Sequence, residues 1–430
     1  MESMELTLTK NFGLTGNSAD DFFAAINSMD SATEVIEMDS KNMVFYAVVT
    51  DRQDVEEVAI ASTPSTGKPL DATADVFESE LNDCVKSNCL YLYMARKDQN
   101  FKLVKVSISS MKARGITDAM IDELRTESKM MVRYEGKSYL VSPFAFTTLL
   151  ARAGLGGDVM NRPYIGRVIE IAKSLFYRRP QRIKAITRSI GESRIIVGAH
   201  SEKYCYIPQN TLTYIFNKIA ADYGNTKCVE WSVGHQLSYC YVGFPDIAAD
   251  FSAMYGLPDD IMPGLCFSTS DTGDSSIIIR GFWNMKKGRV AGEVIKRNHR
   301  GELDIDKFIK DCADSIFKKY NAIPDLLCKL IEIDVKNPTA MLKSVFEQTG
   351  ARKLLGKEDY ESLYMSLCAE FMPSMKYTAY DIAMAIVSLP DRVCNIPHSK
   401  MEKIEQIAYK AIKADYKESK EPSTPIVVGV

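Results

Sequence analysis

The residues best suited to chemistry in this chain are cations, and they are bunched. Arg162 to Arg188 holds eight basic residues and one acid, Glu170, while Arg280 to Arg300 holds seven and one acid, Glu293. The first stretch contains Tyr177-Arg178-Arg179-Pro-Gln-Arg182-Ile-Lys184-Ala-Ile-Thr-Arg188. The second runs Arg280-Gly-Phe282-Trp283-Asn-Met-Lys286-Lys287-Gly-Arg289 and then Lys296-Arg297-Asn-His299-Arg300. Arg and Lys neutralise phosphates, and aromatic faces stack on unpaired bases. The phosphate-binding candidates are therefore Arg178, Arg179, Arg182, Lys184, Arg188, Lys286, Lys287, Arg289, Lys296 and Arg297, with Tyr177, Phe282 and Trp283 as stacking platforms. A competing expectation for the first stretch is a strand face that pairs with acids of the same chain. For the second it is a solvated hairpin tip at Lys286-Lys287-Gly288.

Other chemistry has weaker support. Asp271 and Asp274, in Ser270-Asp-Thr-Gly-Asp274, could hold a divalent cation and, with Glu293 and His299, support a nuclease, but the same residues are ordinary turn chemistry. Pro64-Ser-Thr-Gly67-Lys68-Pro69 lacks the first glycine of a phosphate-binding loop and carries Pro where Ser or Thr is required. Gly154-Leu-Gly-Gly157 has no strand before it, so it reads as a helix stop. The four histidines have no supporting catalytic motif: His235 is expected exposed in a turn, and His200 is expected structural. Ten scattered cysteines include no Cys-x-x-Cys pair, as for reduced, buried thiols. No catalytic residue and no cofactor is assigned.

The elements that must position the cations lie in a chain of uneven charge. Residues 1–80 carry 4 Lys or Arg against 16 Asp or Glu, a net of −12, while 81–430 carry a net of +9. An acidic front that competes with nucleic acid for the basic stretches, or that mediates self-association, is the expectation. With 46% hydrophobic and 25% charged residues the composition is that of a globular protein. No apolar run reaches ~18 residues and the acidic start is unlike a signal peptide, so a cytoplasmic protein without a membrane partner is expected.

The pattern predicts an α+β fold with a largely antiparallel sheet built from hairpins and helices. Residues 1–120 form an acidic α+β domain, with strands at Val44–Val49, Val55–Ala61, Cys89–Met94 and Leu103–Ile108, helices at Ala19–Met29 and Ala72–Val85, and a loop at Ser62–Pro69. Residues 129–302 form an antiparallel core, with hairpins around Glu135-Gly136, Gly191 and Gly234, then a three-strand meander from Gly264 to Lys296. Helical spacing at Ile165, Val168, Ile169, Ala172 and Phe176 marks a helix that leads into the first basic stretch. Residues 303–416 read as a helical bundle divided at Pro324, Pro338, Pro373 and Pro397, with Ser399 and Glu402 as a capping box, and 417–430 as a flexible tail.

Short motifs carry a family likeness over residues 142 to 416. They are Ser142-Pro-Phe-Ala-Phe-Thr-Thr-Leu-Leu-Ala-Arg-Ala-Gly-Leu, Ile196-Val-Gly-Ala-His-Ser-Glu-Lys-Tyr204, Ser270-Asp-Thr-Gly273, Arg297-Asn-His-Arg-Gly301 and Tyr377-Thr-Ala-Tyr380. In this order they resemble an uncharacterised family of phage- and plasmid-borne proteins, domain of unknown function 932. Asn284-Met-Lys-Lys stands where that family has a cysteine–asparagine strand. The resemblance implies a mobile-element origin and names no reaction. Together with the basic stretches it leads to the expectation of a non-enzymatic protein that binds single-stranded nucleic acid in replication or recombination, in the host cytosol if phage-encoded. The alternatives are a virion structural, assembly or host-interaction protein, and a metal-dependent nuclease.

Overall fold

In the computed structural model, which describes residues 13–50, 89–95, 101–156, 165–190, 193–257, 261–270, 277–297, 304–317, 322–392 and 398–417, the acidic first strands are woven into the sheets that carry the basic stretches. The chain begins β1 (Gly13–Gly16), α1 (Ala19–Ser31), β2 (Thr33–Asp39), a 3-10 turn at Ser40–Asn42, β3 (Val44–Thr50), β4 (Cys89–Ala95) and β5 (Phe101–Ser107). It continues α2 (Ile108–Lys112), α3 (Asp118–Glu127), β6 (Lys129–Tyr134), β7 (Lys137–Val141), α4 (Pro143–Arg152), α5 (Ile165–Arg178), β8 (Arg182–Ile190) and β9 (Ser193–Ser201). Then come α6 (Asn210–Tyr223), β10 (Lys227–Gly234), β11 (Ser238–Gly243), α7 (Pro245–Tyr255), β12 (Met262–Thr269), β13 (Ile277–Met285) and β14 (Gly288–Arg297). The last part is α8 (Ile305–Phe317), α9 (Ala322–Ile331), β15 (Asp334–Val335), α10 (Pro338–Thr349), α11 (Ala351–Leu355), α12 (Lys357–Cys368), β16 (Tyr377–Thr378), α13 (Ala379–Val387) and α14 (His398–Ile412).

The fold is α+β, as the hairpin pattern predicts. An eight-stranded sheet has the order β2-β8-β9-β7-β6-β3-β4-β5, antiparallel except for the β3–β4 and β7–β9 pairs. A six-stranded antiparallel sheet has the order β1-β10-β11-β12-β13-β14. Sheet pairing therefore crosses the expected boundary between 120 and 129: β3 pairs with β6, β2 with β8, and β1 with β10. Edge strands are completed by whatever segment presents free N–H and C=O groups, and here the first fifty residues do so for both sheets.

Local chemistry explains most elements. Glu135 and Gly136 take φ of 48° and 77°, the left-handed pair that a two-residue hairpin turn requires between β6 and β7. Ser142 caps α4 by accepting from the Ala145 N–H at 3.1 Å, with Pro143 at the first helical position. Period-two alternation splits the eight-stranded sheet into two apolar faces. Phe45, Val132, Tyr139, Ile183, Ala185 and Ile196 pack under α4 and α5, whose Leu149, Val168, Ala172 and Phe176 are buried. Tyr46, Met131, Leu140, Ile186, Ile195 and Val197 form the opposite face. The helices after 303 share a continuous apolar core with the six-stranded sheet, where Trp283 stacks on Tyr409 of α14 and Val290 joins Ile404 and Ala408.

Some details differ from expectation. Pro324 lies within the first turn of α9, where a missing N–H costs nothing, so it marks the start of that helix rather than the gap before it. Ser399 lies inside α14 rather than before it, and Glu402 forms an ion pair with Arg280 at 3.5 Å. His235, expected exposed, is buried. The expected strand Val55–Ala61, loop Ser62–Pro69, helix Ala72–Val85 and the tail beyond Lys417 lie outside the described residues. Among the described residues no helix is long and apolar enough to cross a membrane.

Candidate nucleic-acid interface

The first basic stretch divides in two. Its beginning is open: Tyr177 is 82% exposed at the end of α5, and Arg178, Arg179 and Arg182 are exposed beside it. Neither Arg178 nor Arg179 has an ion-pair partner among the described residues. Two more cations, neither adjacent in sequence, join this surface. The Ser40 and Gln181 backbones bond at 3.0 Å and Ser40 Oγ accepts from the Gln181 N–H at 3.0 Å, which pins the 3-10 turn beside the start of β8. That turn carries Lys41, and Asp39 caps it by accepting from the Lys41 N–H at 2.9 Å. A shallow concavity of about 640 Å³ results, lined by Lys41, Arg182 and Lys203 with Pro180, Gln181 and Ser201, and by the acids Asp39 and Glu202. Arg182 and Glu202 approach to 3.8 Å with both side chains largely in solvent, so the pair contributes little and leaves Arg182 available.

The end of the stretch is held by the rest of the chain. β2 pairs with β8 so that Asp39 opposes Arg182, Glu37 opposes Lys184 and Glu34 opposes Thr187. Lys184 donates to the Tyr204 carbonyl at 3.1 Å. Glu34 forms an ion pair with Arg194 at 3.1 Å. Arg188 is fully buried, and its guanidinium donates to Thr33 Oγ1 at 3.2 Å, to the His235 carbonyl at 3.1 Å and to His235 Nδ1 at 3.0 Å. It thereby joins the eight-stranded sheet to the β10–β11 turn of the other sheet and presents nothing to a ligand. Through β2, the acidic front meets the basic stretch directly, as edge strand against strand.

The second stretch is mostly interior. Phe282 and Trp283 are buried on opposite faces of β13, so neither ring offers a face to a base. Four in-register neighbours, Glu230, Tyr241, Cys266 and Arg280, cross β10 to β13 in a row. α14 packs along β14, just beyond the end of this row. Glu405, 1% exposed, pairs with Arg280 at 3.1 Å and with Arg289 at 3.3 Å, while Arg289 also reaches Glu230 at 2.7 Å and lies 3.7 Å from the Tyr241 ring centroid. Arg280 further bonds the Tyr241 hydroxyl. Burial pushes the Cys266 thiol up to about 11, against the opposing pull of Arg280. Arg289 is therefore a clasp for α14 rather than an exposed cation. Lys286 and Lys287 are exposed at the β13–β14 tip and Lys296 is exposed on β14, while the Arg297 side chain, Asp271 and Asp274 lie outside the described residues. The two basic stretches sit on different sheets.

Sequence reasoning missed Lys41 and Lys203, gave Glu402 only a capping role, and missed Glu405. Only the last left a local trace, an acid standing within the apolar stripe Ile404, Ala408, Ala411 and Ile412 of α14. Among the described residues no group of His, Cys, Asp and Glu is arranged to hold a metal ion. No family model, no curated protein and no solved structure matches this chain.

Proposed function

We propose that this protein binds single-stranded nucleic acid at the surface formed by Tyr177, Arg178, Arg179, Arg182, Lys41 and Lys203. The observation that carries the proposal is Tyr177, an aromatic ring 82% exposed in the last turn of α5, followed directly by Arg178 and Arg179, which have no ion-pair partner among the described residues. An exposed ring costs hydrophobic free energy in the free protein, and a stacked base would cover it while the neighbouring cations take the flanking phosphates. Asp39 and Glu202 at the concavity's rim hold down the affinity for polyanions in general. Lys286, Lys287 and Lys296 would serve only a separate stretch of strand. Such an activity suits the replication or recombination setting that a mobile-element origin would imply. Because β1 belongs to the six-stranded sheet and β2 to the eight-stranded one, the described acids Glu34, Glu37 and Asp39 act as carboxylates of an edge strand beside β8.

Fluorescence anisotropy with labelled single-stranded DNA and RNA of one sequence, across a salt series, tests this. Wild-type protein should bind with affinity that falls as salt rises, by a log–log slope of about −0.7 per phosphate contact. Arg178→Gln with Arg179→Gln should reduce that slope by about 1.4, and Tyr177→Ala should weaken binding without changing it. No binding at 50 mM salt, or salt-independent binding, would end the proposal. A particle size that grows with concentration at low salt, without nucleic-acid binding, would favour an assembly protein instead.

A further inference from the structure

Across the first hairpin of the six-stranded sheet, two thiols touch. Cys228 of β10 and Cys240 of β11 have Sγ atoms 3.8 Å apart, on the face that packs into the main core. Cys228 stands opposite Val242 and Cys240 opposite Trp231, so the pair lies diagonally across the ladder. The register shifts between Cys228 and Glu230, where Val229 is the extra residue of a bulge. A bulged strand has a residue outside the ladder, and so some slack along its axis. Neither thiol belongs to the Arg280–Glu405 network or to the surface at Tyr177. Cys266 of the same sheet lies in the cluster on the opposite face.

The two thiols are unequal. Cys228 is 8% exposed near the start of β10, whereas Cys240 is fully buried. Burial pushes the Cys240 thiol well above its ordinary value, so it keeps its proton and donates to Cys228. That hydrogen bond holds the Cys228 thiol below its ordinary value, against the opposing effect of burial. The sulfur that meets solvent is therefore the better thiolate, and a protonated partner stands behind it. Low-pKa thiols beside a second cysteine are the ones that oxidants convert to disulfides.

We propose that Cys228 and Cys240 form a redox-modification site, at which hydrogen peroxide converts the two thiols to a disulfide. The Cys228 thiolate attacks one peroxide oxygen. The O–O bond breaks, Cys228 becomes the sulfenic acid, and the departing hydroxide takes the Cys240 proton. Cys240 Sγ then attacks Cys228 Sγ, the S–O bond breaks, and the second hydroxide takes up the proton that Cys228 first released. Two thiols and one peroxide give one disulfide and two waters, and the sulfurs lose the two electrons that the oxygens gain. An S–S bond measures ~2.05 Å, so the sulfurs must close by about 1.8 Å. The bulge at Val229 supplies that movement. Diagonal strand positions, with Cα atoms ~7–8 Å apart, are wider than most disulfides span, so the bond is strained and a thiol reduces it readily.

The full reduced chain, treated near neutral pH with a small molar excess of hydrogen peroxide, alkylated and digested with trypsin and chymotrypsin, tests the proposal. Cleavage after Lys227, Trp231, Tyr239 and Tyr241 leaves Cys228, Cys240 and Cys266 on separate fragments. Mass spectrometry should find the fragment of Cys228 joined to that of Cys240, and glutathione added before alkylation should separate them. The Cys228 thiol should disappear at least about tenfold faster than that of Cys266, which burial pushes up to about 11. Cys240→Ala should abolish the link and leave a sulfenic acid at Cys228 that dimedone captures; should that variant not fold, the wild-type fragments decide alone. Recovery of Cys228 as an unmodified thiol would overturn the proposal. So would loss of Cys228 no faster than Cys266, its conversion to the sulfinic acid beside an intact Cys240 thiol, or its linkage to a different cysteine. A link that glutathione leaves intact would overturn the reversible character.

Discussion

Replacing Glu405 by Gln tests the logic of the buried charge network most directly. The carboxylate is 1% exposed and serves two guanidinium groups, Arg280 at 3.1 Å and Arg289 at 3.3 Å, and also accepts from the Tyr241 hydroxyl at 3.4 Å. The amide keeps the shape but removes the charge. Arg280, 2% exposed, is left with Glu402, which is 29% exposed and 3.5 Å away, and Arg289 with Glu230, which is 43% exposed. Those partners are part-solvated and balance less of the desolvation. Breaking a buried pair by removing one partner costs about 3 to 5 kcal/mol. With the two outer carboxylates still present, the expectation is about 3 kcal/mol. Urea unfolding of the full chain, followed by Trp fluorescence, measures it, since Trp283 stacks on Tyr409 of the same helix. Arg280→Met alone should cost a similar amount. The double variant should cost less than the sum by about 1 to 3 kcal/mol, because the stranded charge is then gone. A Glu405→Gln protein within about 0.5 kcal/mol of wild type, or additivity within about 0.5 kcal/mol, would refute the reasoning.

Three further outcomes are expected. Phe282→Ala should cost about 3 to 5 kcal/mol as a core truncation and leave single-stranded DNA affinity of the folded protein unchanged; selective loss of affinity would return this ring to the binding surface. Above pH 9 the protein should lose stability: burial raises the Cys266 thiol from 9.0 to about 11, so the unfolded chain releases its proton first. The contribution present below pH 9 disappears by about pH 11, by some 2 to 3 kcal/mol, and Cys266→Ala should flatten that part of the pH–stability curve; an unchanged slope would count against it. Asp39→Asn with Glu202→Gln should tighten single-stranded DNA binding about threefold to tenfold at low salt and much less at high salt, measured by anisotropy; weaker binding would show these acids to be part of the site.

The hairpins and helices were legible because their signals are local. Glu135-Gly136 specifies a turn, Ser142-Pro143 a helix start, and the spacing of Val168, Ile169, Ala172 and Phe176 a buried face, each within one element. The exposed half of the candidate interface was legible for the same reason: Tyr177, Arg178 and Arg179 follow the apolar stripe of α5 into solvent. The buried half was not. Along β8 the sequence left two expectations open, a basic face free for phosphates or one paired with acids of the same chain; β2 beside it sets Glu37 opposite Lys184, and Arg188 enters the seam between sheets. In β13 the basic and aromatic residues Arg280, Phe282 and Trp283 looked like a surface strand. Their burial depends on Glu405, more than a hundred residues later, and on α14 covering the edge of the sheet.

By itself, then, the amino-acid sequence determined the α+β class, the positions of the described hairpins and the concentration of cations in two stretches. Periodicity, capping and turn chemistry act over a few residues and are written in their order. Only the tertiary structure decided which cations meet solvent. The cost of burying a guanidinium depends on whether a carboxylate from another element arrives beside it, and that is a property of packing. It kept Arg178, Arg179 and Arg182 outside with Lys41 and Lys203, and it took Arg188, Arg280 and Arg289 inside.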